Sequence, residues 1–264
     1  MNKKIGFIGC GKMASAIIKG ILQSGASYVL KGSELNPDIA ESAQKRLGIP
    51  VMTDNKMLVI DSDIIFIAVK PNCSSEILED IKNEITPEKL VISIAAGIST
   101  KKIESIIGNR RVIRVMPNTP ALVLEGMSGI CKGKFALDED LGTATRILSS
   151  IGKCIEVKED QMDLVTAISG SGPAFFYQVI EDIARAGEKL GLEYDKALLL
   201  ATQTARGSAD MIFNRGATPV QTLIDNVATK GGCTYVGIKE MTGSDKLFAN
   251  VIKKTAKKAH DLGK

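Results

Sequence analysis

Two glycines near the start of the chain stand where a backbone could cradle a phosphate. Gly9 and Gly11 follow an apolar run at residues 4–8, and apolar residues at helical spacing begin at Met13. In a dinucleotide site the first glycine permits a sharp turn, the second lets the pyrophosphate approach the backbone, and a small residue, here Ala14, lets the helix pack on the strand. The helix N-terminus would then bind the phosphates. The pattern predicts a nucleotide site, although a glycine turn that binds nothing has the same spacing.

Three later stretches combine small residues, hydroxyls and amides beyond what packing requires. Residues 169–173 (SGSGP) would open a long helix, residues 115–120 (VMPNTP) would place Asn118 at a strand end, and residues 231–234 (GGCT) would begin a further helix. Gly-Gly lets a backbone approach a ligand, and a helix N-terminus favours a carboxylate. The structural alternatives are an N-cap, a rigid proline loop and a glycine turn between helices.

Alternating apolar runs and helical patterns must position these residues. We predict strands at residues 4–8, 28–33, near 51, 64–69, 90–94 and 111–115, with helices between them, including one at 74–83. Residues 127–131 and 155–157 are further strand candidates. The run at 64–69 lacks polar alternation, which is typical of a strand buried on both faces of a parallel sheet. The alternation predicts a doubly wound parallel sheet, whose ligands bind beyond the carboxyl ends of the strands. Five turns should therefore face one crevice: 9–11, 34–36, 69–71, 95–97 and 116–118.

The second half of the chain has a different pattern. From about residue 161 we find helical periodicity and no convincing strand. The predicted helices span residues 174–190, 196–214, 218–226, 235–241 and 247–259. We therefore predict an α/β domain at residues 1–160 and an all-helical domain at 161–264. The apolar stripe at 197–201 predicts self-association, with a helix buried inside one domain as the alternative.

Composition narrows the classes of function. The chain has 264 residues, 44% of them hydrophobic, and a net charge of only +4, which argues against nucleic acid as a partner. Five cysteines without a CxxC pair indicate a reduced, cytoplasmic setting with no disulfide framework. The single histidine, His260, argues against a histidine base or a metal site. No apolar run reaches the ~18 residues of a membrane span, and no signal peptide is evident.

Six stretches together resemble the pyrroline-5-carboxylate reductase family over essentially the whole chain. They are GFIGCGKMASAI, FIAVKP, SIAAGI, RVMPNTP, SGSGPAFFY and DNVATKGGCTYVGIKEM. RVMPNTP and the last stretch are specific to that family, whereas GxGxxA occurs in many unrelated enzymes. The resemblance implies NAD(P)H-dependent reduction of the cyclic imine 1-pyrroline-5-carboxylate to L-proline, the last step of proline biosynthesis. It also implies a Rossmann domain, a helical dimerisation domain and homodimers that assemble further.

The resemblance also implies site residues, carried over position by position. The implied cofactor contacts are Gly9, Gly11, Lys12, Met13, Asn36, Asn55, Ala68, Val69, Lys70, Pro71, Ala96, Asn118 and, from the helical domain, Asn226. The implied substrate contacts are Ser171, Gly231, Gly232, Cys233 and Thr234. Thr234 matches the hydroxyl that the family places near the imine nitrogen, so it is the expected catalytic residue. No metal is expected.

Two departures from the family pattern bear on specificity. The chain has TKGGCT at 229–234 where the family usually has SPGGTT, so we expect a looser turn and a cation, Lys230, near the carboxylate. Glu34 ends the second strand about 25 residues after Gly9, where an acidic side chain binds the ribose 2′-OH and repels a 2′-phosphate. No arginine stands at 35–37. We therefore expect NADH preference or dual use, and the reverse if Glu34 points away from the site.

The mechanism does not need a histidine. A protonated cyclic imine is electrophilic, and hydride transfer requires mainly orientation and a shielded crevice, so solvent can supply the proton. A 3-hydroxyacid dehydrogenase would need a lysine on the helix after SGSGP, and residues 172–181 contain none. A reductase of a related cyclic imine acid, and a paralogue that binds nucleotide without turnover, remain as alternatives.

Overall fold

One sheet organises the first half of the molecule. Within residues 2–262, the part of the chain that the computed structural model describes, this sheet has eight strands. They are β1 (Lys4–Ile8), β2 (Val29–Ser33), β3 (Val51–Met52), β4 (Ile64–Ile67), β5 (Leu90–Ser93), β6 (Arg111–Met116), β7 (Gly126–Lys132) and β8 (Gly152–Glu156). Their order is β3-β2-β1-β4-β5-β6-β7-β8, so the direction of winding reverses between β1 and β4. A ligand crevice is expected at the carboxyl edge of that switch point.

The sheet is parallel through β6 and changes direction at its far edge. β7 runs antiparallel to β6, and β8 pairs in parallel with β7. The predicted parallel sheet is therefore confirmed for β1 to β6, and β7 and β8 extend it in the opposite direction. A parallel crossover needs about a dozen residues or more, whereas residues 117–125, with a 3₁₀ turn at Thr119–Val123, are too few to make one.

Helices connect the strands and begin where local capping chemistry allows. They are α1 (Lys12–Gln23), α2 (Pro37–Leu47), α3 (Asn55–Ile60), α4 (Pro71–Ile81), α5 (Thr100–Ile107) and α6 (Asp138–Leu148). In α2 the Asn36 side chain accepts two N–H groups of the first turn, Pro37 occupies the first position, and Gly48 ends the helix in the left-handed conformation. Proline also begins α4 at Pro71, earlier than the predicted start at 74.

The sheet has an apolar layer on each face. Phe7 and Phe66 stack with their ring centroids 4.6 Å apart in one layer, whereas Ile65 and Ile67 pack in the other. All four side chains are fully buried. The expectation that β4 is buried on both faces is therefore confirmed, and these layers hold the carboxyl ends of the strands in place.

The second half is helical. It contains α7 (Met162–Val165), a π-helical turn (Thr166–Gly170), α8 (Gly172–Lys189), α9 (Tyr194–Phe213), α10 (Val220–Val227), α11 (Cys233–Glu240) and α12 (Ser244–Leu262). As predicted, no strand follows β8 in the residues that the structure describes. None of the helices within 2–262 is both long enough and apolar enough to cross a membrane.

The described chain divides into two compact units. Residues up to Ser171, together with those from Lys254 onward, form the first unit, and Gly172–Lys253 form the second. The domain division near residue 160 remains a prediction. In the second unit the buried residues, as far as the structure describes them, are few and small: Gly172, Ala184, Ala197 and Ala201.

Candidate active site

A cavity of about 800 Å³ opens at the carboxyl edge of the sheet, in the first unit. Three of the five predicted turns reach it: 9–11, 34–36 and 69–71. The predicted cofactor residues that line it are Gly9, Gly11, Glu34, Asn36, Asn55, Ala68, Val69 and Lys70. Those that lie outside its lining are Lys12, Met13, Pro71, Ala96, Asn118 and Asn226. The carboxyl ends of β1, β2 and β4 thus share one crevice, as doubly wound sheets do.

The glycine turn has the shape that a phosphate requires. Gly9 has φ +89°, and a Cβ there would lie 2.8 Å from the carbonyl oxygen of Ala68, so only glycine fits. Gly11 is exposed, and a Cβ there would meet open space. It precedes α1 without any side-chain cap, which leaves the N–H groups at Lys12 and Met13 without a helical partner. The turn therefore fits a dinucleotide pyrophosphate.

Glu34 points toward this turn. Its Oε1 accepts a hydrogen bond of 2.6 Å from the Cys10 N–H, and the residue lines the cavity. The neighbouring Leu35 is 67% exposed and brings no positive charge. Burial, and then the charge of Glu34, raise the pKa of the Cys10 thiol to about 11, so the thiol stays protonated at neutral pH. The Glu34 side chain thus lies beside the glycine turn at one end of the residues that line the cavity.

Two asparagines and a lysine support the same edge. Asn55 is buried, and its Oδ1 accepts a 2.7 Å hydrogen bond from the Ser33 hydroxyl at the end of β2. Asn36 caps α2, as described above. Lys70 is exposed and precedes α4. The contacts of Asn36 and Asn55 hold the backbone at this edge, and all three residues line the cavity.

Sequence reasoning missed several residues of this site. Arg46 donates a 2.9 Å hydrogen bond to the Cys10 carbonyl and another to the Ser15 hydroxyl, which braces the glycine turn from α2. Arg46 is 36 residues from Cys10 in the sequence, so no local pattern indicates the contact. The cavity is also lined by one face of α4, at Cys73, Glu76, Ile77 and Asp80. That i, i+3, i+4, i+7 spacing is a signal that could have found them.

Asn118 has its side chain fully engaged within the first unit. Its Oδ1 accepts from the Met127 N–H at 2.8 Å, and its Nδ2 lies 3.2 Å from both the carbonyl and the hydroxyl oxygen of Ser169. The VMPNTP loop is therefore tied to the π-helical turn, and π-turns are frequent at functional sites. Ser171 follows as a half-buried residue whose N–H donates to the Thr166 carbonyl at 2.8 Å.

The second unit contains the predicted substrate turn. Gly231 has φ +83°, and the Gly232 N–H donates to the Thr229 carbonyl at 2.9 Å, so the turn closes although Lys230 stands where proline is common. Gly232 caps α11, and the next two residues, Cys233 and Thr234, are the first of that helix. The turn thus presents N–H groups and a hydroxyl at a helix N-terminus, which suits a carboxylate. Asn226 is exposed on α10.

Comparison with known proteins covers both units. Residues 159–262 match the family model described as pyrroline-5-carboxylate reductase dimerisation, and residues 4–97 match that of an NADP oxidoreductase, coenzyme F420-dependent. A pyrroline-5-carboxylate reductase of Methanosarcina acetivorans is 43% identical, with 100% of this chain and 99% of the relative covered. The chain belongs to the pyrroline-5-carboxylate reductase family.

Solved structures of pyrroline-5-carboxylate reductases agree with this family assignment. The Coxiella burnetii structure has a TM-score of 0.93 and 31% identity and covers 100% of both chains. The Plasmodium falciparum structure, which has NADP bound, has a TM-score of 0.87 and 34% identity, covering 100% of this chain and 99% of that one. The predicted family and fold class are therefore confirmed, and the match to a dimerisation region supports self-association of the helical half.

Proposed function

We propose that this chain reduces 1-pyrroline-5-carboxylate to L-proline with NADH or NADPH. The observation that carries the proposal is full-length membership of the reductase family in a chain whose glycine turn and cavity fit a dinucleotide. When bound, the nicotinamide cofactor supplies the hydride. The backbone at Gly9 and Gly11 binds the phosphates, and the crevice orients the reacting ring.

In the second unit, the turn at residues 229–234 provides the groups that would bind the substrate. The N–H groups that follow Gly231 and Gly232 would hold the substrate carboxylate, and the Thr234 hydroxyl would hydrogen-bond to the imine nitrogen. Thr234 is half-buried, so a small ligand can still reach it. Solvent supplies the proton on that nitrogen.

The test is oxidation of NADH and NADPH on addition of 1-pyrroline-5-carboxylate, followed at the nicotinamide absorbance. We expect turnover by the native chain and a loss of about 10²-fold in kcat for Thr234→Ala, the order expected for removing a positioned donor. Nucleotide affinity should stay unchanged, and Thr234→Ser should restore activity. Full activity in Thr234→Ala would contradict the role of Thr234, and absence of turnover with both cofactors would contradict the proposed reaction.

We further propose that the chain prefers NADH or uses both cofactors. The support is the Glu34 carboxylate, which lines the cavity beside the glycine turn, and the apolar Leu35 that follows it. A 2′-phosphate would meet a negative charge there. Comparing kcat/KM for the two cofactors tests the preference. The double variant Glu34→Gln, Leu35→Arg should favour NADPH by about tenfold or more, whereas a strong NADPH preference in the native chain would contradict the proposal.

Lys230 and Cys233 favour one alternative substrate class, a related cyclic imine acid. Both are exposed beside the proposed carboxylate site, and both depart from the family pattern. A six-membered cyclic imine carboxylate assayed beside 1-pyrroline-5-carboxylate separates the two. A higher kcat/KM for the six-membered imine than for 1-pyrroline-5-carboxylate would establish the related cyclic imine acid as the substrate.

We also infer a homodimer formed by the helical half, with further assembly of dimers, and a cytoplasmic location. The dimerisation region and the exposed apolar side chains of α8 and α9 support the assembly. The molar mass in solution tests it, and localisation of a tagged full chain tests the compartment.

A further inference from the structure

An ion pair between a buried arginine and a half-buried glutamate lies outside the residues that line the cavity. Arg114 on β6 is only 4% exposed, and its Nη1 pairs with Oε1 of Glu159, which begins the 3₁₀ turn Glu159–Gln161. Its Nη2 is buried and has no hydrogen-bond partner within residues 2–262. A buried arginine is costly to desolvate and contributes little net stability even when paired. Packing alone therefore gives a weak reason for this pair.

The other carboxylate oxygen of Glu159 reaches the start of α5. Oε2 accepts hydrogen bonds from the Thr100 hydroxyl at 2.7 Å and the Thr100 N–H at 3.3 Å, and the Cys131 thiol lies 3.4 Å away. Burial disfavours the charged form of Glu159, but the Thr100 hydrogen bond and the Arg114 charge outweigh it and hold the pKa below its ordinary value. Thr100, the first residue of α5, is itself buried.

Thr100 closes the loop that contains turn 95–97. β5 ends at Ser93 and α5 begins at Thr100, so this loop has a strand at one end and the Glu159 contact at the other. Gly97 has φ +78°, which makes the turn tight. A displacement of Thr100 would consequently be transmitted to Ala96 over a few residues of chain.

The strand order indicates which half of a dinucleotide meets this turn. Glu34 at the end of β2 lies on the adenosine side, and the glycine turn follows β1. Across the sheet the order continues from β1 to β4 and then β5, so turn 95–97 lies on the far side of the switch point from Glu34. A dinucleotide that extends along the carboxyl edge from β2 brings its nicotinamide half to β5.

We propose that Glu159 is a positioning residue that holds turn 95–97, through Thr100, for the nicotinamide half of the dinucleotide. The ligand's identity rests on the proposed function. We call the contact of Glu159 with Thr100 the clamp. Loss of the clamp should weaken binding of the nicotinamide half of the dinucleotide and leave binding of the adenosine half unaffected. A role confined to general stability would affect both halves alike.

The experiment compares the affinity of NADH, which needs both halves, with that of ADP, which fills only the adenosine half. The variants are Thr100→Val, which removes one donor and keeps the ion pair, and Glu159→Gln, which removes the charge. We expect each to weaken NADH binding by about tenfold, the effect of losing a charge-assisted hydrogen bond, with ADP binding within about twofold of native. Thr100→Ser should restore NADH affinity, and the exposed Glu156→Gln is the matched control.

Equal losses of NADH and ADP affinity in Thr100→Val, or native NADH affinity in that variant, would overturn the proposal. Because Thr100→Val leaves Arg114 paired, it remains informative if Glu159→Gln fails to fold. Both affinities are measured without turnover. A native chain that binds NADH but does not reduce 1-pyrroline-5-carboxylate would therefore count against the proposed function and not against the clamp.

Discussion

The two halves of the molecule bury their apolar side chains to very different extents. In the first half the strands β1, β4 and β5 supply an almost fully buried core. In the second, large side chains of α8 and α9 stay exposed, including Phe176 at 68%, Leu199 at 70% and Leu200 at 61%. Many exposed apolar side chains on neighbouring helices are typical of an association site. The first half is thus stabilised by its own core, whereas the second needs another copy to bury its apolar faces.

The largest expected effect comes from removing the core of the first half. Phe66→Ala deletes a fully buried ring that stacks on Phe7, and such changes cost about 3–5 kcal/mol in the free energy of unfolding. Urea denaturation followed by circular dichroism measures the loss. Leu122→Ala, at a side chain that is 55% exposed, is the control and should change little. A loss below about 1 kcal/mol for Phe66→Ala would contradict a self-contained first half.

The next prediction compares the two halves by how a new surface charge on each affects self-association. Leu200→Glu places a charge on the exposed apolar face of α9, and burying it against another copy should weaken association by roughly a hundredfold or more. Leu22→Glu makes the same change at a leucine that is 51% exposed on α1 in the first half, and should leave the assembly intact. Light scattering after size exclusion gives the molar mass. Equal behaviour of the two variants would remove the distinction between the halves.

A smaller effect concerns backbone strain in the first half. Leu124 has φ +63° and is the one non-glycine residue with a positive φ in the described part of the chain. Leu124→Gly should raise the free energy of unfolding by about 0.5–1 kcal/mol, because a left-handed conformation disfavours a Cβ. Leu122→Gly relieves no strain, because Leu122 lacks a positive φ; it adds chain entropy to the unfolded state and removes a partly buried side chain, so it should lower the free energy of unfolding. Thermal unfolding measures the change in the free energy of unfolding for each variant. A change of the same sign in both variants would contradict backbone strain at Leu124.

The smallest effect is a pH dependence. Hydrogen bonds from Lys31 and Lys4 lower the pKa of Asp61, at the start of the turn before β4, from 3.8 to about 2. The ionised carboxylate therefore stabilises the fold above pH 3.8, and this contribution is lost as pH falls toward about 2. Partly exposed ion pairs contribute less than about 1 kcal/mol to the free energy of unfolding. Asp61→Asn should therefore make the urea midpoint only slightly less dependent on pH between pH 2 and 5.

The second half offers the comparison for that titration. Hydrogen bonds from Tyr194 and then Arg185 lower the pKa of Glu181, a half-buried residue that joins α8 to α9. Glu181→Gln should change the acid limb of the same midpoint curve less than Asp61→Asn does, because two lysines pair with Asp61 whereas Glu181 meets one arginine and a neutral phenol. A larger change in Glu181→Gln would reverse the ranking of the two halves.

Features of local chemistry could be read from the sequence. The strand, glycine turn and helix at residues 4–18, the doubly buried β4 and the Gly-Gly start of α11 all depend on neighbours within a few positions. The ends of α4 and β8 were less accurate: α4 begins at Pro71 rather than 74, and β8 spans Gly152–Glu156 rather than 155–157. Proline at a first helical position and glycine at a strand start allow these extensions, but neither compels them.

By itself the sequence determined the family, through motifs spread over the whole chain. It also determined the alternation of strands and helices and the glycine turn after β1, because both follow from residue types at short spacing. Only the tertiary structure decided the direction of β7, the brace from Arg46 and the contact of Glu159 with Arg114 and Thr100. Those partners are far apart in the chain, and the packed sheet brings them together. Long-range contacts depend on how every intervening element packs, so no local pattern encodes them.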